Sequence, residues 1–274
     1  MSIVLGNPIA MGAGGSTGKL EFTYTGDYTE REDGVVELRS SGTFVPKRDY
    51  EIDTFHVGGG AGGASNADAD GAGGGGSGYT KTQRKVAIKK GQQYTISIGQ
   101  GGSGGAKGST SPGSNGGTTS GFVDSLGNTI SAEGGKASSV WYKGGNGGSG
   151  GGSGTGPGST KGGVGGTNGG NGQSSTYDTS RGGTGQGTNT YEFGEVSTDP
   201  LKLYAGGGAG GSEYNNPTSV ASGGARGGGN GNGGNGEANT GGGGGGGKGN
   251  TRNGGTSGGT GGSGIICIRL TPTS

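Results

Sequence analysis

The residues best suited to bind a ligand stand where bulky side chains interrupt runs of glycine. Val140-Trp141-Tyr142-Lys143 holds the only tryptophan, and Ser175-Thr176-Tyr177-Asp178 and Ser212-Glu213-Tyr214-Asn215-Asn216-Pro217 are aromatic-polar clusters of the same kind. An aromatic face stacks on a sugar ring, and nearby amide or carboxylate groups hydrogen-bond its hydroxyls. Loops rich in Tyr, Asn and Ser on a rigid frame also make adaptable binding surfaces. Trp141, Tyr142, Tyr177, Asp178, Tyr214, Asn215 and Asn216 are therefore the candidate ligand-binding residues. Trp141 and Tyr142 fit equally well as edge residues that shield glycine backbone.

Other chemistry is thinner. GxGxxG recurs so often in this chain that it carries no information, and Gly18-Lys19-Leu20, Gly135-Lys136-Ala137 and Gly247-Lys248-Gly249 all lack the Ser or Thr that ends a P-loop. Asn66-Ala67-Asp68-Ala69-Asp70-Gly71 mimics the opening of a calcium loop, but its twelfth position is Ser77 rather than Glu. A polar surface loop is the better account. His56 and Cys267 lie on strand-like segments that could pair, yet a nucleophilic dyad needs an accessible thiolate, and Cys267 sits among isoleucines as a small core residue would. Lys81, Arg84, Lys85, Lys89 and Lys90 form a basic cluster that could meet an anionic polymer, or simply be the solvent face of a strand. One histidine and one cysteine cannot build a His/Cys zinc site within one chain. No catalytic residue, metal or cofactor is expected.

The elements that must position these residues have an unusual composition. Glycine supplies 84 of 274 residues, whereas average usage is roughly 7 %. Side chains of the AVILMFWYC set make up 23 %, too few for an ordinary two-layer core. Seven prolines without fixed phase exclude collagen. With 20 basic and 19 acidic residues, no global field draws the chain to nucleic acid or an anionic membrane. No apolar run approaches the ~18 residues of a membrane helix. Ile3-Val4-Leu5 is too short for a signal-peptide core and lacks a basic leader, so no standard export signal is expected.

Short strands punctuate the chain. Leu20 to Tyr24 alternates apolar with polar, Asp33-Gly34 is a hairpin turn before Val35 to Leu38, and Thr43 to Val45 stops at Pro46. Ile52 to Val57 runs straight into Gly58. Val86 to Ile88 and Tyr94 to Ile98, joined at Lys89-Lys90-Gly91, read as a hairpin. Ile265 to Leu270 has the continuous apolar run of a strand buried on both faces. Glycine between such anchors could be disordered coil. The alternative is a lattice of polyproline II helices, whose three residues per turn leave every N–H and C=O free to bond a neighbour. The expected fold is mostly irregular and all-β, with short strands framing a glycine-rich lattice of this polyglycine II type. The expected division is an N-terminal β attachment segment, 1–45, and a glycine-rich domain, 46–274.

The series Phe22-Thr23-Tyr24-Thr25-Gly26, Ser41-Gly42-Thr43-Phe44, Phe55-His56-Val57-Gly58-Gly59-Gly60, Gly91-Gln92-Gln93-Tyr94-Thr95-Ile96-Ser97-Ile98-Gly99, Leu203-Tyr204-Ala205-Gly206-Gly207-Gly208 and Gly264-Ile265-Ile266-Cys267-Ile268-Arg269 resembles the glycine-rich domain family of phage and prophage tail proteins. A further likeness is to tail-fibre tip adhesins built on stacked polyglycine II helices. The resemblance implies a non-enzymatic tail-fibre or tail-tip adhesin, located in the virion and extracellular after release by lysis, and it implies that Tyr191, Phe193 and Tyr204, which fall in family-like strings, pack as core. Its partners would be a bacterial surface receptor, glycan or protein, and other tail-fibre or baseplate proteins, with no nucleic acid and no membrane insertion. A structural tail protein that does not touch the receptor is the alternative.

Overall fold

The computed structural model describes residues 21–138, 142–156, 161–166, 169–175, 190–213, 220–224, 226–249 and 255–273. Ten strands form three antiparallel sheets. They are β1 (Phe22–Tyr24), β2 (Tyr28–Glu30), β3 (Val36–Leu38), β4 (Gly42–Pro46), β5 (Tyr50–Val57), β6 (Thr80–Ile88), β7 (Tyr94–Ile96), β8 (Thr119–Val123), β9 (Thr129–Ala132) and β10 (Ile265–Pro272). The sheet orders are β2-β3-β10-β5-β6, β1-β4-β7 and β8-β9. Strands of 22–46 thus share their sheets with β5, β6, β7 and β10.

The alternation of side chains across β10 divides the apolar residues into two cores. Ile266 and Ile268 join Val36, Leu38, Ile52 and Ile88 of the large sheet to Phe44, Tyr94 and Ile96 of the three-stranded sheet and Phe122 of the hairpin. Ile265 and Cys267 face the other way, against Phe55, Val57, Phe193 and Tyr204. The apolar run of β10 is continuous because both faces are covered. Asp33-Gly34 turns β2 back onto β3, with Gly34 at φ 79°.

One pairing departs from the sequence reading. Val86 to Ile88 and Tyr94 to Ile96 do not form a hairpin; β6 pairs with β5 and β7 with β4. Both segments send alternate side chains into the first core, so they serve it better from different sheets. The Lys-Lys-Gly turn is a corner between sheets, where Gly91 donates to the Pro46 carbonyl at 2.8 Å.

The described parts of the glycine runs form an ordered lattice. Along 58–65 the donors step through their neighbours in threes. Gly58, Ala61 and Ala64 donate to Tyr79, Gly76 and Gly73, each at 2.9 Å. Gly59, Gly62 and Ser65 donate to Gly117, Ser114 and Ser111, and Gly60 and Gly63 donate to Gly262 and Gly259. The carbonyls of Gly60 and Gly63 accept from Gly102 and Gly105, and those of Ala61 and Ala64 from Gly244 and Gly247. A period of three with all bonds directed outward is the signature of a polyproline II helix packed among others. The same rhythm runs through the next segment: Ala72, Gly75 and Gly78 donate to Gly247, Gly244 and Gly241.

Glycine is required here by close approach. A Cβ on Gly60 would fall on the Gly242 carbonyl, and one on Gly75 would fall on that of Ala61. Where a lattice helix runs out of neighbours, side chains take over the bonding. The Oδ1 atoms of Asn115, Asn146, Asn171 and Asn235 accept from the amides of Ala137, Val164, Gly165 and Thr260 at 2.8, 2.8, 2.9 and 3.0 Å. Ser114 does the same for Ser103 at 2.7 Å. The polar residues between the glycines therefore complete the backbone's hydrogen bonding as well as facing water.

Candidate functional site

Tyr142 is the one candidate binding residue that falls among the described residues. Trp141, Tyr177, Asp178, Tyr214, Asn215 and Asn216 lie outside them. Tyr142 is partly exposed, and its carbonyl is fixed by the Gly154 amide at 2.8 Å. Beside it lies a cleft of about 230 Å³ lined by Lys136, Ala137, Ser138, Lys143, Gly144, Gly145 and Asn146.

The lattice builds both walls of this cleft. Lys136 ends one helix and Asn146 belongs to its neighbour, and the Lys136 amide donates to the Asn146 carbonyl at 2.8 Å. Gly76 and Gly74, on the adjacent helix, clamp the walls by bonds to the Lys136 carbonyl and from the Gly145 amide. The lysine stems are thereby mounted on a hydrogen-bonded base. Lys136 reaches Glu133 at 3.7 Å, but the Glu133 side chain is 72 % exposed, so this pair neutralises little.

The other motifs are absorbed by the fold. His56 and Cys267 sit on paired strands but on opposite faces, since His56 lies opposite Ile266 and Cys267 opposite Phe55. Both are fully buried. Burial raises the Cys267 thiol well above its ordinary pKa, which keeps it protonated. No dyad exists. Asn66 uses its Oδ1 on the Asp68 amide and Thr110 hydroxyl and its Nδ2 on the Asp70 carbonyl, as a closed polar loop does. Among the described residues no group of three metal-ligating side chains occurs.

The basic cluster is partly neutralised. Arg84 pairs with Asp53 and Glu195 at 2.9 and 3.2 Å, and Lys89 pairs with Asp49 at 2.9 Å. Arg84 belongs to a network that straps residues 191–203 across the large sheet. Tyr191 bridges Leu203 to close that segment, and Phe193 enters the second core at φ 54°, with the Arg269 guanidinium 4.1 Å above its ring. Hydrogen bonds from Arg269 hold the Glu195 carboxyl down at about 2. Arg31 binds the buried Glu192 at 2.6 Å and also Asp33 and Glu37. Of the three aromatic residues expected in the core, Phe193 and Tyr204 are buried and Tyr191 is partly exposed.

The sequence reading passed over Lys136, Ser138 and Asn146 as binding residues. The available signal was their closeness to Trp141 and Tyr142 between two glycine runs. In comparisons with known proteins, residues 39–271 match the family model described as a glycine-rich domain. No curated protein matches the chain significantly.

Proposed function

The chain belongs to the glycine-rich domain family, and from that premise we propose that it is a tail-fibre or tail-tip adhesin of a phage or prophage. In this reading it binds a host surface receptor through aromatic-polar loops and catalyses no reaction. The observation that carries the reading is the path of the chain around Tyr142. Two lattice helices are hydrogen-bonded side by side, and Tyr142 immediately precedes Lys143, which lines an open polar cleft between them. A rigid frame interrupted by replaceable loops suits recognition, because loop sequence can change while the backbone lattice keeps its bonds. The buried, protonated Cys267 and the paired carboxylates of the outer network offer no nucleophile or free acid–base pair to a substrate.

The chain would act in the virion and outside the host cell, held by other tail-fibre or baseplate proteins. Fluorescently labelled protein is expected to stain a narrow range of bacterial strains, and exchange of residues 212–217 is expected to change that range. Protein that stains no strain, while virions lacking it fail to assemble, would instead identify a structural tail component.

A further inference from the structure

The geometry points to an anionic group of a surface polymer, a carboxylate or phosphate, as the ligand of the cleft between Lys136 and Lys143. The inference rests on the adhesin reading for its biological setting, but its chemistry comes from the cleft alone. Two lysines, Lys136 and Lys143, line the cleft and no Asp or Glu does; the Glu133 carboxylate, 3.7 Å from the Lys136 ammonium, is exposed outside it. The Oδ1 of Asn146 is consumed by the Val164 amide at 2.8 Å, so the unspent hydrogen-bonding capacity of that side chain is its NH₂, a donor.

Several acceptors around the cleft already serve the lattice. The Lys136 carbonyl accepts from Gly76, the Gly145 carbonyl from Gly151, the Asn146 carbonyl from Lys136 and the Tyr142 carbonyl from Gly154. A neutral sugar hydroxyl both donates and accepts, and draws no Coulombic gain from the two lysines. A carboxylate or phosphate accepts only, which matches a cleft rich in donors. The volume of about 230 Å³ suits one charged residue of a polymer rather than a long oligosaccharide.

The test is calorimetric titration of the full chain with three probes of equal length: an oligogalacturonate, a glycerol-phosphate oligomer and a neutral malto-oligosaccharide. One or both charged probes should saturate, and the neutral one should not. The responding probe identifies whether carboxylate or phosphate is the source. Added salt should weaken binding. Lys136→Gln and Lys143→Gln should each weaken it about tenfold, the loss of one charge-assisted contact. Lys107→Gln, outside the cleft, should leave it unchanged, and circular dichroism should show every variant folded. Equal binding of the neutral probe, failure of both charged probes, or unchanged affinity in the folded Lys136→Gln/Lys143→Gln variant would overturn the inference. Strain labelling separates the two readings. If labelling persists in the double variant, the adhesin stands and this cleft falls; if the charged probes bind but no strain is labelled, the cleft stands and the adhesin falls.

Discussion

The sheets and the glycine lattice solve the same problem with opposite materials. In the sheets, Ile52, Ile266, Ile268, Phe44 and their neighbours remove apolar surface from water, and the backbone bonds follow. In the lattice the backbone groups bond in three directions at once, and the side chain must shrink to nothing for the helices to meet. Ordering glycine is costly in entropy, about 1–2 kcal/mol per residue for the backbone. A dense network of satisfied amides and close dispersion contacts must offset that cost. The comparison teaches that a core is defined by close packing with all polar groups paired, and that apolar side chains are one way to reach it.

The sharpest test of that contrast is substitution by size. Gly75→Val should prevent stable folding, because the new Cβ meets the Ala61 carbonyl and neither backbone can yield alone. Denaturant unfolding monitored by circular dichroism checks this; a folded Gly75→Val protein of undiminished stability would end the lattice argument. In the sheets the damage runs the other way. Ile266→Ala, which deletes buried methyl groups between three sheets, should cost about 2–5 kcal/mol in the same experiment.

Acid should act first on the sheets. His56 is fully buried, neither ring nitrogen has a protein partner, and burial pushes its pKa down to about 3. Above its ordinary pKa of about 6.5, both folded and unfolded chains hold it neutral and the shift costs nothing. Below that value the unfolded chain takes up a proton that the folded chain refuses, so stability falls from about pH 6.5 towards pH 3. The depressed Glu195 carboxyl also loses its contribution as pH falls, but only from about 4.5 towards 2. His56→Leu should therefore flatten the stability profile between pH 6.5 and 4.5 and leave the steeper acid limb. An unchanged profile in that window would place the acid sensitivity elsewhere.

The smallest effect belongs to the rim of the lattice. Asn235→Ala strips the Thr260 amide of its acceptor at a solvent-exposed edge and should cost about 0.5–1.5 kcal/mol. Amide exchange followed by NMR sets the two regions side by side. Gly60, Gly63 and Gly75 should exchange as slowly as Ile266, whereas coil-like rates at those glycines would confine the ordered protein to its sheets.

Much of the frame could be read from residue order. Val36 to Leu38, Phe44, Ile52 to Val57 and the long run of β10 announced themselves by alternation or by continuous apolarity. The β8–β9 hairpin went unread because its strands are short and lie between glycine runs, although Phe122-Val123, Ile130 and the turn at Gly127 carried a signal. The partners of β6 and β7 were misread because adjacency in sequence favoured a hairpin, while the shared core favoured two sheets. Of the candidate site, the neighbourhood of the cleft was legible through Tyr142, which adjoins its lining residue Lys143. Its cationic side was not, since Lys136 stands six residues away in sequence, and backbone bonds among Lys136, Asn146, Gly145, Gly74 and Gly76 bring the walls together.

By itself the sequence determined that glycine would dominate, that strands would frame it, and that bulky polar-aromatic clusters would interrupt it. These are local facts, fixed by residue type and spacing of two or three. Only the tertiary structure decided which helix lies beside which, which glycines meet a carbonyl, and which Asn caps an edge. Glycine carries no side chain to mark its partner, so a lattice built from backbone is specified by the anchors at its ends and by close packing in three dimensions.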